Sequence, residues 1–186
     1  MIRAEFRLPA GWMELIDALD ETAADFAKLD RGAQQSLRLN VERVQRFVAG
    51  LRGERDAWVL LRQAGRIEAV LTMRGYRVSA DGASDLVDAL STPFVMSEVD
   101  VVNRTVRESI LPAGRAVETH DFSVGHDFES GTRPASERAT VTIFPTSGEW
   151  AIDLLLVTQD LLLFEDSLEY LHSIAETILP LTEKVR

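Results

Sequence analysis

The sequence of 186 residues contains no cysteine. This absence excludes disulfide bonds, cysteine nucleophiles and zinc sites with cysteine ligands, and it is compatible with a reducing compartment. No apolar run approaches the roughly 18 residues that a membrane-spanning helix needs, and the first residues lack the basic and apolar regions of a signal peptide. We therefore expect a soluble protein of the cytoplasm that has no membrane partner.

Positive charge is in the minority, and the net charge is -10 at pH 7. Because nucleic-acid binding depends on clustered lysine and arginine, this balance argues against a nucleic-acid partner. Lys28 and Lys184 are the only lysines, and residues 31–77 hold ten of the arginines beside four acidic residues. This basic region is either a solvated helix face or a surface for a protein partner, with Arg38 and Arg46 as candidate contacts.

Motifs that would identify an enzyme are also missing. Serine never occurs in a Gly-x-Ser-x-Gly elbow, and the sequence has neither a phosphate-binding loop nor the glycine pattern of a dinucleotide site. We therefore expect no cofactor and no catalytic residue of these classes.

Several segments have the residue spacing of helices. An apolar residue recurs every three or four positions over residues 33–51, at Leu37, Val41, Val44, Val48 and Leu51, which predicts an amphipathic helix. The same spacing predicts a helix over residues 165–179, where Pro180 stops it, and a short one over residues 20–29. Residues 85–90 suit one or two further helical turns.

Other segments have the alternation or composition of strands. Strands are predicted at residues 2–8 and 66–78, and two hairpins pair residues 99–110 with 116–124 and 139–144 with 150–157. The last of these segments is almost continuously apolar and suits a central strand covered on both faces. Residues 54–64 fit either a short helix or the first strand of a hairpin, with the helix favoured, and residues 125–137 predict a mobile surface loop.

These elements predict a single domain of the α+β class. Two apolar-striped helices at opposite ends of the chain need a sheet to pack against, so we expect an α/β/α sandwich. Its sheet should be mostly antiparallel, with about five to six strands flanked by the helices.

Three segments resemble a known family. They are Phe6-Arg-Leu-Pro-Ala-Gly-Trp12, Ile110-Leu-Pro-Ala-Gly-Arg-Ala-Val117, and the hairpin from Val141-Thr-Ile-Phe-Pro145 to Trp150-Ala-Ile-Asp-Leu-Leu-Leu156. They resemble uncharacterised actinobacterial proteins with a PsbP-like or LpqN-like α/β/α fold. The resemblance implies an accessory or adaptor role, in some relatives beside type VII secretion components. The chain departs from the lipoprotein branch of that fold because it has no cysteine to carry a lipid.

One stretch is rich in groups that bind metals. His120, His126 and Asp127 lie close together in the sequence, with Glu118 and Asp121 nearby. Two imidazoles and a carboxylate can ligate zinc or another divalent metal. Strand alternation, however, places His120 on the same face as Glu118 and turns Asp121 to the other face, so solvated strand-end and loop residues are the competing interpretation.

Several isolated residues are further candidates. His172 on the last helix can be partnered by Glu169 or Glu176. Trp12, Trp58 and Trp150 are either packing residues or, since exposed indoles are enriched at interfaces, contacts for a partner. Asp153 lies within an apolar strand, so if it is buried we expect an arginine partner or a raised pKa.

The sequence therefore indicates a non-enzymatic cytoplasmic protein that binds another protein, with a homo-oligomer as a further possibility. The alternative is an enzyme that depends on a metal or acts on a small molecule, built around His120, His126 and the nearby carboxylates.

Overall fold

The computed structural model of the protein describes residues 5–19, 29–62, 66–79, 81–91, 99–125, 135–146 and 149–179. Seven strands and three α-helices lie within these ranges. In chain order they are β1 Trp12–Glu14, α1 Arg31–Gly50, β2 Asp56–Arg62, β3 Arg66–Arg77, α2 Gly82–Ser91, β4 Val99–Leu111, β5 Gly114–Gly125, β6 Ala135–Pro145, β7 Trp150–Thr158 and α3 Ser167–Ala175. A single turn of 3-10 helix, Asp17–Leu19, follows β1. None of the helices in the described ranges is long and apolar enough to cross a membrane.

The strands form one sheet in the order β1-β2-β3-β7-β6-β5-β4, and every neighbouring pair is antiparallel. The class α+β and the antiparallel sheet are therefore confirmed, while the sheet is larger than the expected five to six strands. Strands β4 to β7 follow one another as a meander, and β7 then pairs with β3. The central position of β7 and the burial of its residues 151–156 confirm the prediction of a strand covered on both faces.

Helices α1 and α3 cover opposite faces of the sheet. On the α1 face, Leu37 and Val41 pack with Val59 and Val70. On the other face, the apolar residues of α3 pack with the inner strands, including Leu71 of β3. Val70 and Leu71 are neighbours in β3 and therefore point to opposite faces of the sheet. The helices that pack with them, α1 and α3, lie in separate layers. Each fully buried leucine or valine contributes about 1.5–3 kcal/mol to these layers.

The helix predicted for residues 54–64 is wrong, and the hairpin is right. Residues Asp56–Arg62 form β2, which pairs with β3. Trp58 packs with the α3-side cluster and Val59 with the α1-side cluster. This alternation is that of a strand, and it outweighs the helix preference of the flanking arginine, glutamine and alanine.

The strand predicted for residues 2–8 is also wrong where the structure describes it, which is from Glu5 onward. Only an isolated bridge forms there, between Glu5 and Leu179. The edge of β2 is already occupied by β1, whose Trp12 lies opposite Leu60, so the segment before β1 has no strand to pair along. The alternation instead reflects packing, since Phe6 meets the ring of Trp58 edge-on at 4.9 Å.

The remaining elements differ from prediction mainly in their ends. Helix α1 is confirmed and begins at Arg31 because the side chain of Asp30 accepts a hydrogen bond from the Ala33 backbone. Helix α3 is shorter than predicted and ends at Ala175, where the Thr177 hydroxyl donates to the Ile174 carbonyl at 2.7 Å.

The loop predicted for residues 125–137 ends too late, because β6 begins at Ala135. Residues 126–134, like residues 20–28 of the predicted short helix, lie outside the described ranges. The predicted strand over residues 66–78, the helical turns within residues 85–90 and both hairpins are confirmed.

Gly114 closes the turn between β4 and β5 and should not tolerate a side chain. Its φ is +150°, and an added Cβ would collide with the carbonyl of Phe144 on β6. We expect Gly114→Ala to lower the free energy of unfolding by at least about 2 kcal/mol, measured by chemical denaturation. The matched control is Gly50→Ala at the end of α1, where a Cβ meets no atom within 4 Å. Equal stability of the two variants would contradict the packing described for this turn.

Candidate functional site

Glu118 is a fully buried carboxylate on the α3 face of β5. It accepts hydrogen bonds from the Ser109 hydroxyl and from Nε of Arg107 at 2.6 Å, both on β4. Nδ1 of His172 on α3 lies 2.8 Å from Oε1, the oxygen that also accepts from Ser109, while Arg107 donates to Oε2. Burial raises the pKa of Glu118, but the hydrogen bonds from Ser109, Arg107 and His172 outweigh burial and leave this pKa below its ordinary value. The cluster therefore ties α3 to two strands.

The contacts of His172 were predicted only in part. Its Nε2 lies 3.6 Å from Glu176, one of the two predicted partners. The other, Glu169, pairs with Arg107 instead. The closer partner, Glu118, was missed, although the alternation of β5 had placed its side chain beside those of Ala116 and His120, on a face that the last helix could cover.

The predicted metal ligands do not all come together. His120 is bound to Glu137 through a contact of 2.6 Å between Nε2 and Oε1. Asp121 points to the opposite face, as strand alternation predicted, and holds Arg104 through two hydrogen bonds of 2.6 and 2.8 Å. The described ranges contain no group of three or more histidine, aspartate or glutamate residues that could hold a metal ion. His126 and Asp127 lie outside these ranges, so a site that uses them stays a prediction.

The three tryptophans all make contacts within the chain. Nε1 of Trp12 donates to the hydroxyl of Tyr170 at 2.7 Å, and Trp58 packs against Phe6. The guanidinium of Arg77 lies 5.2 Å from the centre of the Trp150 ring. These contacts are those of residues that pack parts of the fold together.

The two candidate arginines lie on the outer surface of α1. Arg38 and Arg46 are both exposed, and Arg46 lines a shallow depression with Glu42, Gln45 and Ala49. Neither arginine lines the cleft between α1 and the sheet that is described below.

Asp153 is buried at the centre of the sheet and is paired with arginines, as predicted. Its Oδ2 accepts hydrogen bonds from Arg55 at 2.7 Å and Arg74 at 3.1 Å, and its Oδ1 accepts one from Thr142 at 3.0 Å. The Arg55 side chain is only 6% exposed. This network links β7 to β3 and to the segment before β2, and it places two guanidinium groups around one carboxylate.

A cleft of about 430 Å³ opens on the other side of α1, between this helix and the sheet. One wall is formed by α1, and the floor and far wall by strands β3, β5, β6 and β7. The lining includes the apolar side chains Val44, Phe47, Ile67, Val70 and Val157 and the polar side chains Asn40, Arg43, Glu68, Ser123, Ser136, Arg138 and Gln159. Glu68 is buried.

Arg138 gives the far end of the cleft a positive charge. Within the described part of the chain its Nε is enclosed and has no hydrogen-bond partner. Burial lowers the pKa of its guanidinium, Asp121 raises it, and the like charges of Arg104 and Arg55 lower it, so the net pKa is below the ordinary value. The group still carries its proton at neutral pH. Asp121 is held by Arg104 through two hydrogen bonds, and its charge also acts on Arg138.

No family model and no curated protein matches the chain. The geometry of the cleft, which was not predicted from the sequence, is therefore the basis for a functional proposal. The available signal was Arg138, a charged residue within the alternating segment that became β6. Helix α1 packs over one half of this sheet face, and the other half is left to form the cleft. The sequence contains no signal of this arrangement.

The Glu118 cluster generates a prediction about acid stability. A carboxyl group whose pKa is lowered by folding stabilises the protein above its unfolded pKa, and this contribution is lost as pH falls through the folded pKa. We expect Glu118→Gln to lower the free energy of unfolding by about 2 kcal/mol at pH 7. The difference from the unchanged protein should shrink below about pH 4.

Urea denaturation between neutral and acidic pH measures this effect. The matched control is Glu176→Gln, which removes an exposed carboxylate from the same histidine and should change stability little. If the loss of unfolding free energy in the Glu118 variant is the same down to the lowest pH, its cause is packing and not charge.

Proposed function

We propose that the chain is a non-enzymatic binding protein and that the cleft between α1 and the sheet holds an organic anion with an apolar body. The observation that carries this proposal is the position of Arg138, whose enclosed Nε faces no partner in the described part of the chain. An anionic head group at this end would satisfy the guanidinium through charge-assisted hydrogen bonds.

The size and lining of the cleft support this class of ligand. A volume of about 430 Å³ lies within the usual range for small-molecule sites. Val44, Phe47 and Val157 offer an apolar wall for the body of the ligand, and Ser136 lies beside Arg138 to orient the head group. Arg43 and Arg138 outnumber Glu68, the acidic residue among the described lining residues, so the lining favours an anion over a cation.

The arrangement of the buried acidic residues supports binding over catalysis. Glu118 is used in holding α3 to the sheet, and Asp153 in holding the centre of the sheet together. His120 and His172 are bound to glutamates on the α3 face, on the opposite side of the sheet from the cleft. A general base would need to lie within hydrogen-bond reach of the bound ligand, which these four residues do not; Glu68 is the buried carboxylate among the described cleft-lining residues.

The resemblance to PsbP-like and LpqN-like proteins extends the proposal. It adds an accessory role in the cytoplasm, in which the chain serves a protein partner such as a type VII secretion component. In this role the anion in the cleft would be the signal or cargo that the accessory protein carries.

Calorimetric titration with decanoate tests the proposal, with decanol as the uncharged ligand of the same chain length. We expect decanoate to bind at one site per chain and more tightly than decanol. Arg138→Met keeps a side chain of similar length without the charge. This variant should bind decanoate about tenfold or more weakly, because a charge-assisted hydrogen bond contributes about 1.5–3 kcal/mol, and should bind decanol unchanged.

A pair of matched variants locates the site. Asn40→Trp fills the cleft from α1 and should abolish binding, while Gln45→Trp adds the same side chain on the outer surface of the helix and should leave binding intact. No heat of binding from decanoate in the unchanged protein would overturn the proposal. Equal affinity of the unchanged protein and the Arg138 variant would do so as well.

A further inference from the structure

The outer edge of β4 is a long strand edge without a neighbour. Strand β4 runs from Val99 to Leu111 and pairs with β5, and no other described strand lies beside it. Val102 and Ile110 near its two ends are 63% and 81% exposed. An edge strand of this length presents unpaired backbone groups to any chain that can pair with it.

The side chains of β4 are arranged symmetrically about Val106. Arg104 and Glu108 lie two residues to either side of it, and Val102 and Ile110 lie four residues to either side. In an antiparallel pair of identical strands centred on Val106, each arginine therefore faces a glutamate, and the regular pairing extends from Asn103 to Ser109, because Val102 is the extra residue of a β-bulge. We propose that β4 pairs with β4 of a second copy of this chain, with a twofold axis at Val106, so that two seven-stranded sheets become one.

The backbone groups of β4 are directed correctly for this pairing. Leu111 and Gly114 lie opposite each other across a turn of two residues, and in such a turn the flanking residues form a bonded pair. Bonded and non-bonded pairs alternate along an antiparallel ladder, so residues 105, 107 and 109 bond toward β5. Residues 104, 106 and 108 then direct their N–H and C=O groups outward, and an axis at Val106 brings these groups together.

Other registers place unfavourable side chains opposite each other. An axis at Arg104, Arg107 or Glu108 makes the residue on the axis face its own like charge. An axis at Thr105 brings Arg104 opposite Val106 and Glu108 opposite the β-bulge at Val102. Charged residues on an edge strand normally oppose pairing, but here their opposite signs select one register.

The charges next to β4 continue the pattern. Within one chain Asp121 holds Arg104, and Arg115 holds Glu108. Pairing through β4 brings Arg104 of one chain beside Glu108 of the other. The result is a row of alternating charges across four strands. It runs from Asp121 and Arg104 of one chain to Glu108 and Arg115 of the other. The twofold axis generates a second, identical row.

Analytical ultracentrifugation of the full chain over about 1–500 μM tests the proposal, since interfaces of one strand edge fall in the weak, micromolar class. We expect a reversible monomer–dimer equilibrium. Glu108→Lys places a lysine opposite Arg104 of each partner and should raise the dissociation constant about tenfold or more. The control Glu42→Lys makes the same charge change on the exposed surface of α1 and should leave the equilibrium unchanged.

A backbone variant checks the interface without a change of charge. Val106→Pro removes the N–H on the proposed axis, which the chain's own sheet does not use, and should give a folded monomer. Circular dichroism of each variant establishes that it is folded. A monomer at all concentrations in the unchanged protein would overturn the proposal. A folded Val106→Pro variant, or a Glu108→Lys variant, that dimerises as strongly as the unchanged protein would also overturn it.

Discussion

The ladder between β3 and β7 holds the two parts of the sheet together. Strands β1 to β3 come from the first part of the chain and β4 to β7 from the second, and they meet along the pairs that run from Ala69 with Thr158 to Arg77 with Trp150. Both helical layers depend on this ladder, because α1 packs on β3 and α3 packs on β6, β5 and β7. The cleft also lies across it, since its lining comes from β3 on one side and from β5, β6 and β7 on the other.

This arrangement of the sheet explains part of the charge distribution in the sequence. Two arginines of the basic region, Arg55 and Arg74, pair with Asp153, which belongs to the second part of the chain. The ion pairs therefore bridge the same two parts as the backbone ladder. Burial of such a network adds little net stability, but loss of one member leaves an uncompensated charge, so the network penalises any other register between β3 and β7.

The sequence predicted the elements better than their arrangement. The apolar stripes of α1 and α3 and the alternation in β3 to β7 are local patterns, and all of them correspond to observed elements. Strand β2 was mistaken for a helix because residue preference competed there with a short alternation, and β1 was missed because three residues give no period. Glu118 and Asp153 show the same limit for the site. Their burial could be anticipated from their strands, whereas Arg107, His172 and Arg55 became their partners only through strand order and helix placement.

The order of the strands has a consequence for the chain as it leaves the ribosome. Strand β3 ends at Arg77 and its central partner β7 begins only at Trp150, so at the usual rate of synthesis about 4–15 s separate them. During that interval one edge of β3, with Ala69, Leu71 and Met73 beside it, has no neighbour. A nascent sheet with an apolar face and an open edge is a substrate for chaperones and for self-association. Synthesis therefore leaves open for several seconds a strand edge that lies at the centre of the finished sheet.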